Sequence, residues 1–242
     1  MDHRLCVTFP ARRRFGDSIL MRTLAIGDIH GCYRSLDALA TFAAFESDDR
    51  IITLGDYVDR GPDSRRVIEW LIDRHASGGL IPLRGNHELM MVAARQSERR
   101  RDEWLVCGGD AVLSSYCTDR LDDIPDEHWH FLTNTLRSHF ITRTHFFVHA
   151  NAYAELPIDE QPDFMLYGEP FGDPLPHESG LTMVCGHTPQ RDGAPLSVGH
   201  AVCIDTWACG RGWLTCHDVD SGICWQSNEA GATRRFWLDE GP

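Results

Sequence analysis

Ile51-Ile52-Thr53-Leu54-Gly55-Asp56-Tyr57-Val58-Asp59-Arg60-Gly61-Pro62 decides the fold. Its first four residues form a short apolar, β-branched run, the pattern of a buried strand. Gly61-Pro62 then breaks the strand, and the fixed φ of Pro62 suits it to open a helix. Asp56, Asp59 and Arg60 therefore sit on a loop at the C-terminal end of a strand. In open α/β sheets that edge is where ligands bind.

The same arrangement recurs on both sides. Upstream, Thr23-Leu24-Ala25-Ile26 runs into Gly27-Asp28-Ile29-His30-Gly31. From Tyr33 to Phe45 the residues Leu36, Leu39, Ala40 and Ala43 share one helical face. Downstream, Val67, Ile68, Leu71 and Ile72 mark a second amphipathic helix, ending at Gly78-Gly79. Leu80-Ile81-Pro82-Leu83 is a third apolar run, whose proline marks a strand end or a sheet edge. It leads into Arg84-Gly85-Asn86-His87-Glu88 and a helix over Leu89 to Gln96. Three strand–loop–helix units of about thirty residues predict an α/β fold with right-handed crossovers and a parallel sheet. The three polar loops then lie together on one edge.

Past these units, the charged run Ser97 to Glu103 reads as a solvated helix surface, and Cys107 to Tyr116, with Gly108-Gly109, as a cap or insertion over the loop edge. Asp126 opens a helix through Arg137. His139–Thr142 and His145–His149 predict a hairpin. Pro157 to Pro176 is a long surface loop, a class that is often functional in compact domains. Leu181 to Cys185 is a strand ending in Gly186-His187. Ala201–Asp205, Trp213–Asp218 and Ile223–Gln226 read as antiparallel strands, the last two joined by a turn at Asp220-Ser221-Gly222.

Composition narrows the function. A formal net charge of -13 argues against a general nucleic-acid partner. No apolar run reaches the ~18 residues needed to span a bilayer, so no membrane partner is expected. Nine cysteines, an odd number with no Cys-x-x-Cys pair, fit buried thiols in a reducing cytoplasm. Residues 1–20 carry Arg12-Arg13-Arg14 but no apolar h-region. They read as an extension, with residues 21–242 forming one catalytic domain.

The loop edge gathers Asp28 and His30, then Asp56 and Asp59, then Asn86 and His87; two later strands end in His149 and His187. Carboxylate, amide and imidazole together suit Mn²⁺, Fe²⁺ or Zn²⁺. No thiolate is offered, which argues against a structural zinc site. Six ligands are too many for one ordinary zinc ion, but they fit two ions about 3.5–4 Å apart that share a carboxylate. Taken alone, His149 and His187 would read as core histidines, and His139 and His145 are left as structural. Asp205 reads as a turn cap, and Trp207, Trp213 and Trp225 as packing.

Gly27-Asp28-Ile29-His30-Gly31, Gly55-Asp56-Tyr57-Val58-Asp59-Arg60-Gly61 and Gly85-Asn86-His87-Glu88 resemble the signature of the phosphoprotein phosphatase branch of calcineurin-like metallophosphoesterases. Val148-His149-Ala150 and Cys185-Gly186-His187-Thr188 look like that family's last two metal-binding segments. The resemblance covers about residues 22–228. It implies an α/β/β/α sandwich of two mixed β-sheets. It implies one metal on Asp28, His30 and Asp56, and a second on Asp56, Asn86, His149 and His187, with Mn²⁺ favoured over Fe or Zn. His87 would be the general acid, Asp59 its orienting carboxylate, and Arg60 a grip on phosphate oxygens.

The family's protein phosphatases usually add a second phosphate-gripping arginine from a Trp-x-Arg segment. Here that stretch reads Met165-Leu166-Tyr167-Gly168-Glu169, with no arginine; Arg191 and Arg211 are the substitutes considered. The leading expectation is a dinuclear-metal phosphomonoesterase that cleaves phosphoserine or phosphothreonine in proteins by direct attack of a metal-bridging hydroxide, with phosphotyrosine as a further candidate. The alternative is a symmetrical diadenosine tetraphosphate hydrolase. That branch typically reads Gly-Asn-His-Asp and lacks the acid equivalent to Asp59. A third reading is an inactive metal-binding scaffold.

Overall fold

In the computed structural model the described residues are 21–242, together with Arg14–Phe15 (β1) and Ser18–Ile19 (β2), which pair antiparallel. That ladder apart, the extension expected over residues 1–20 lies outside the described residues.

The three strand–loop–helix units are present as read. β3 (Thr23–Ile26), β4 (Arg50–Thr53) and β5 (Leu80–Pro82) pair in parallel and in register. Each is followed by a helix: α1 (Tyr33–Phe42), α2 (Ser64–Ala76) and α3 (Asn86–Ala94). β5 is an edge strand that ends at Pro82, which has no N–H to give a ladder. The cap of α2 is Asp63 rather than Pro62: its side chain accepts a hydrogen bond from the Arg66 N–H.

α4 (Glu98–Trp104) forms the charged helix. α5 (Asp110–Ser115) follows it, and α6 (Asp126–His130) runs into a wider π-type turn at Phe131–Thr135, two residues short of the expected end. The hairpin is β6 (His139–Ile141) with β7 (His145–Val148). The long loop contains the short helix α7 (Asp163–Gly168). β8 (Thr182–Cys185), β9 (Leu196–Ser197) and β10 (Ala201–Cys203) complete a five-stranded sheet in the order β6-β7-β8-β10-β9. β11 (Leu214–Asp218), β12 (Ile223–Ser227) and β13 (Thr233–Trp237) extend the first sheet to six strands, in the order β13-β12-β11-β3-β4-β5.

The C-terminal third is therefore only partly antiparallel. β10 pairs parallel to β8 in the second sheet, while β11 to β13 form the antiparallel wing of the first. β13 was not anticipated; Arg234 and Arg235 interrupt its apolar pattern.

Side-chain alternation builds the layers. Ala25, Ile52, Phe147, Val184 and Val202 point into one cluster between the sheets. Their neighbours Leu24, Ile26 and Ile51 face the helices. Phe146, Val148, Met183, Cys185, Ala201 and Cys203 face outward, onto Ile158, Leu166, Tyr167 and Phe171. This is an α/β/β/α sandwich of two mixed sheets whose second outer layer is mostly loop. The parallel strands end at Ile26, Thr53, Pro82, Val148, Cys185 and Cys203, and the polar loops begin there.

Candidate metal centre

Two sets of side chains converge at that edge and share Asp56. His30, Asp56 and His87 bring one ligand atom each to within 4.8 Å of one another, and so do Asp56, His149 and His187. The His30 Nε2 lies 3.4 Å from Asp56 Oδ2, and the His149 Nε2 lies 3.4 Å from Asp56 Oδ1, so the two oxygens of one carboxylate face opposite halves of the site.

The imidazoles are aimed from behind. His30 Nδ1 donates to the Val58 carbonyl and His149 Nδ1 to the Leu54 carbonyl, both at 2.8 Å. Each Nε2 is then a lone pair pointing into the site, the usual outer support of a metal-ligating histidine. His187 Nε2 meets the Gly168 carbonyl at 3.3 Å, which leaves its Nδ1 lone pair 3.1 Å from Asn86 Oδ1. The same amide oxygen is 3.0 Å from His149 Nε2. Three lone pairs thus face one another with no proton between them. On the other half, the Arg60 guanidinium donates to His30 Nε2 and His87 Nε2, both at 2.8 Å, so a cation already sits between those imidazoles.

Asp28 is buried beside Asp56 and Asp205, and its carboxylate accepts from the His187 N–H at 3.0 Å. It stands outside the compact set of His30, Asp56 and His87. Burial and the neighbouring Asp205 and Asp56 charges push its carboxyl well above the usual range. Asp205 is pushed up to about 6, first by burial and then by Asp56. Burial acts to raise Asp56 too, but the facing imidazoles of His149, His87 and His30 carry it below the usual range. Burial lowers His30 to about 3 and His149 to about 4, and it lowers His187, so these imidazoles are neutral donors. Crowded carboxylates with neutral imidazoles and opposed lone pairs are a donor set that a divalent cation fits.

His87 Nδ1 lies 2.5 Å from Asp59 Oδ2. Burial lowers the imidazole's proton affinity, yet the Asp59 hydrogen bond and the Asp56 charge outweigh it and leave His87 raised. Burial likewise raises Asp59, against the hydrogen bonds from His87 and Trp104.

The backbone here is held in unusual conformations. Eight non-glycine residues among the described ones have positive φ, and five of them are His30, Asp56, Asp59, Arg60 and His187. Such backbone is costly and persists only where the surroundings over-determine it. Glu88, which the residue pattern did not single out as a site residue, does much of this. Its buried carboxylate accepts from the N–H groups of Asp56 at 2.9 Å, Tyr57 at 2.7 Å, Val58 at 3.3 Å and Gly85 at 2.8 Å. Its signal was its place three residues after Gly85, a capping-box position. Gly85 itself admits no side chain: a Cβ there would lie 2.2 Å from Asp56 Oδ1.

The remaining sequence candidates separate clearly. Asp205 does cap a turn, accepting from the Trp207 N–H at 3.0 Å, while also bordering Asp28. Arg191 stacks on Trp207 at 5.1 Å, and Arg211 is exposed. Arg84 was missed. It leads directly into Gly85-Asn86 and lies near Tyr167 on α7, while its guanidinium donates to the Thr133 carbonyl at 3.4 Å.

The sequence profile of the calcineurin-like phosphoesterases matches residues 21–212. The chain belongs to the calcineurin-like phosphoesterase family. Over 73 residues it is 42% identical to a symmetrical bis(5'-nucleosyl)-tetraphosphatase of Photorhabdus laumondii, a match covering 30% of this chain and 26% of that protein. Over 86 residues it is 37% identical to serine/threonine-protein phosphatase 1 of Salmonella typhimurium, covering 35% and 38%. The chain thus aligns with well under half the length of these curated relatives. A solved structure proposed to be a diadenosine tetraphosphatase superposes with a TM-score of 0.62 at 20% identity, covering 90% of this chain and 93% of that one, a likeness of fold.

Proposed function

We propose that this protein is a dinuclear-metal phosphomonoesterase acting on phosphoserine and phosphothreonine in proteins, with phosphotyrosine a further substrate. The observation that carries the reading is the 2.5 Å contact between Asp59 and His87. Cleaving a phosphoserine expels an alkoxide, a poor leaving group that gains from a proton delivered in the transition state. Splitting a dinucleoside polyphosphate expels a nucleotide whose negative charge is already spread over phosphate oxygens, and it needs no such donor.

One ion would be held by Asp28, His30 and Asp56, and the other by Asp56, Asn86, His149 and His187. Two divalent ions, most simply Mn²⁺ on the oxygen–nitrogen donor set, would supply Lewis acidity and a water nucleophilic at neutral pH. The protein does the rest. Asp59 holds the His87 ring so that Nε2 faces the site, and that nitrogen passes its proton to the departing oxygen. Arg60 turns from the imidazoles to the phosphate, where its planar fork grips two oxygens. Arg84, near Tyr167 on α7, is the cation we assign to the part of that grip an α7 arginine would otherwise supply. Eight described cysteines are free thiols, which supports a reducing cytoplasm as its location.

Symmetrical diadenosine tetraphosphate hydrolysis is the second reading, supported by the 42% identity over 73 residues to a symmetrical tetraphosphatase and by the absence of an arginine on α7. Phosphopeptides and diadenosine tetraphosphate assayed side by side under Mn²⁺ separate the two. The phosphopeptide should give the higher kcat/KM; a reversed preference overturns the first reading.

A further inference from the structure

The Asp59–His87 pair has a third member. Trp104, the last residue of α4, donates its indole Nε1–H to Asp59 Oδ1 at 2.8 Å, while Asp59 Oδ2 faces His87. Both oxygens of a fully buried carboxylate are thereby fixed. Trp104 is 1% exposed, the one buried side chain of a helix otherwise made of charged residues. The segment after it grips the next residue of the loop: the Gly108 carbonyl accepts from the Arg60 N–H at 3.0 Å. Gly108 has a φ of 108°, and a Cβ there would lie 2.7 Å from Arg60 N. A Cβ on Gly109 would strike the Trp104 ring at 2.3 Å. Asp59 and Arg60 both have left-handed backbone, so the loop they form needs such outside support.

We propose that Trp104, with the Gly108 carbonyl, is a positioning element of the reaction: the indole orients Asp59 so that His87 is aimed at the leaving oxygen. A carboxylate with one anchored oxygen can rotate about its Cβ–Cγ bond; one held at both oxygens cannot. Loss of the indole hydrogen bond frees Asp59 to turn and lets the imbalance pass to the His87 ring. Since misaiming by about 1 Å can cost about 10²-fold, the effect is kinetic even though Trp104 never meets the substrate.

This inference rests on His87 being the acid, and the test keeps the two apart. Trp104→Phe keeps the ring packing and removes the N–H. With Mn²⁺-loaded protein, its kcat on phenyl phosphate should fall about 10- to 100-fold. On p-nitrophenyl phosphate, whose leaving group needs little protonation, it should fall far less. His87→Asn should show the same dependence on leaving group, more steeply. If His87→Asn lowers both substrates equally, the acid assignment fails; if it discriminates and Trp104→Phe does not, the positioning role fails. Independently of activity, the indole N–H resonance lost in Trp104→Phe identifies that proton in the ¹⁵N spectrum. Asp59→Asn should move it upfield, and an unmoved resonance overturns the contact. Gly108→Ala is the second variant: because it strikes Arg60, it should lower both esters alike, and an unchanged rate on both counts against the clamp.

Discussion

The two halves of the metal centre are built differently. The half around His30 and His87 comes from the short loops after β3, β4 and β5, braced by helices, by Glu88 and by Trp104. The half around His149 and His187 comes from the ends of β7 and β8, under an outer layer made of loop and the six-residue α7. The first half carries the groups proposed to move a proton and hold the phosphate, and rigidity suits that task. The second carries the proposed ligands His149 and His187 under a thin covering. A half held rigid for proton transfer and a half left thinly covered is the division this contrast teaches.

Asp56 spans both halves, so its loss should have the largest effect. Asp56→Asn should lose metal at both positions, as measured by elemental analysis, and drop kcat/KM by more than the 10–100-fold typical of an outer partner. Chelation of the native protein should likewise abolish hydrolysis of an aryl phosphate, with Mn²⁺ restoring it. Normal stoichiometry in the variant would break the idea of one shared carboxylate.

His87→Asn separates acid from ligand on the braced half. Lost acid catalysis lowers kcat by about 10²–10⁴ with metal content unchanged. Because His87 groups with His30 and Asp56 more tightly than Asp28 does, metal loss would instead make it a ligand.

Glu88→Gln tests the bracing. Several backbone N–H groups lose an acceptor oxygen, so unfolding in denaturant should show a loss of about 1–3 kcal/mol, and metal affinity should fall about 10–100-fold. An unchanged protein would remove the distinction between the halves.

Arg84→Ala should have the smallest effect, a rise of about tenfold in phosphopeptide KM, the scale of one hydrogen bond to a charged group, with kcat nearly kept. A fall in kcat alone would move Arg84 into the chemical step.

The same contrast governs what the chain made legible. Asp28, His30, Asp56, Asp59, Asn86 and His87 were readable because apolar runs, turn glycines and chemistry-bearing residues fall within one βα unit each. His149 and His187 were readable only as polar ends of apolar strands, given meaning by the rest. The parallel pairing of β10 was not readable: three residues, Ala201–Cys203, carry no sign of their neighbour, and the crossover from β8 decides it. Trp104 was hidden in a run of charges because only one side chain of that helix turns inward. Arg84 was hidden because its neighbour Tyr167 lies more than eighty positions away.

Asp28, Asp56 and Asp205 share one buried region, so the ions proposed to bind there should make the fold itself responsive to their supply. Buried carboxyls crowded this closely resist ionising together, and a bound cation lets them do so. Ligand linkage contributes about 2.7 kcal/mol when free ion exceeds its dissociation constant a hundredfold. The thermal midpoint should therefore climb with manganese concentration, so that a cell short of the metal would hold a softer, more protease-sensitive protein.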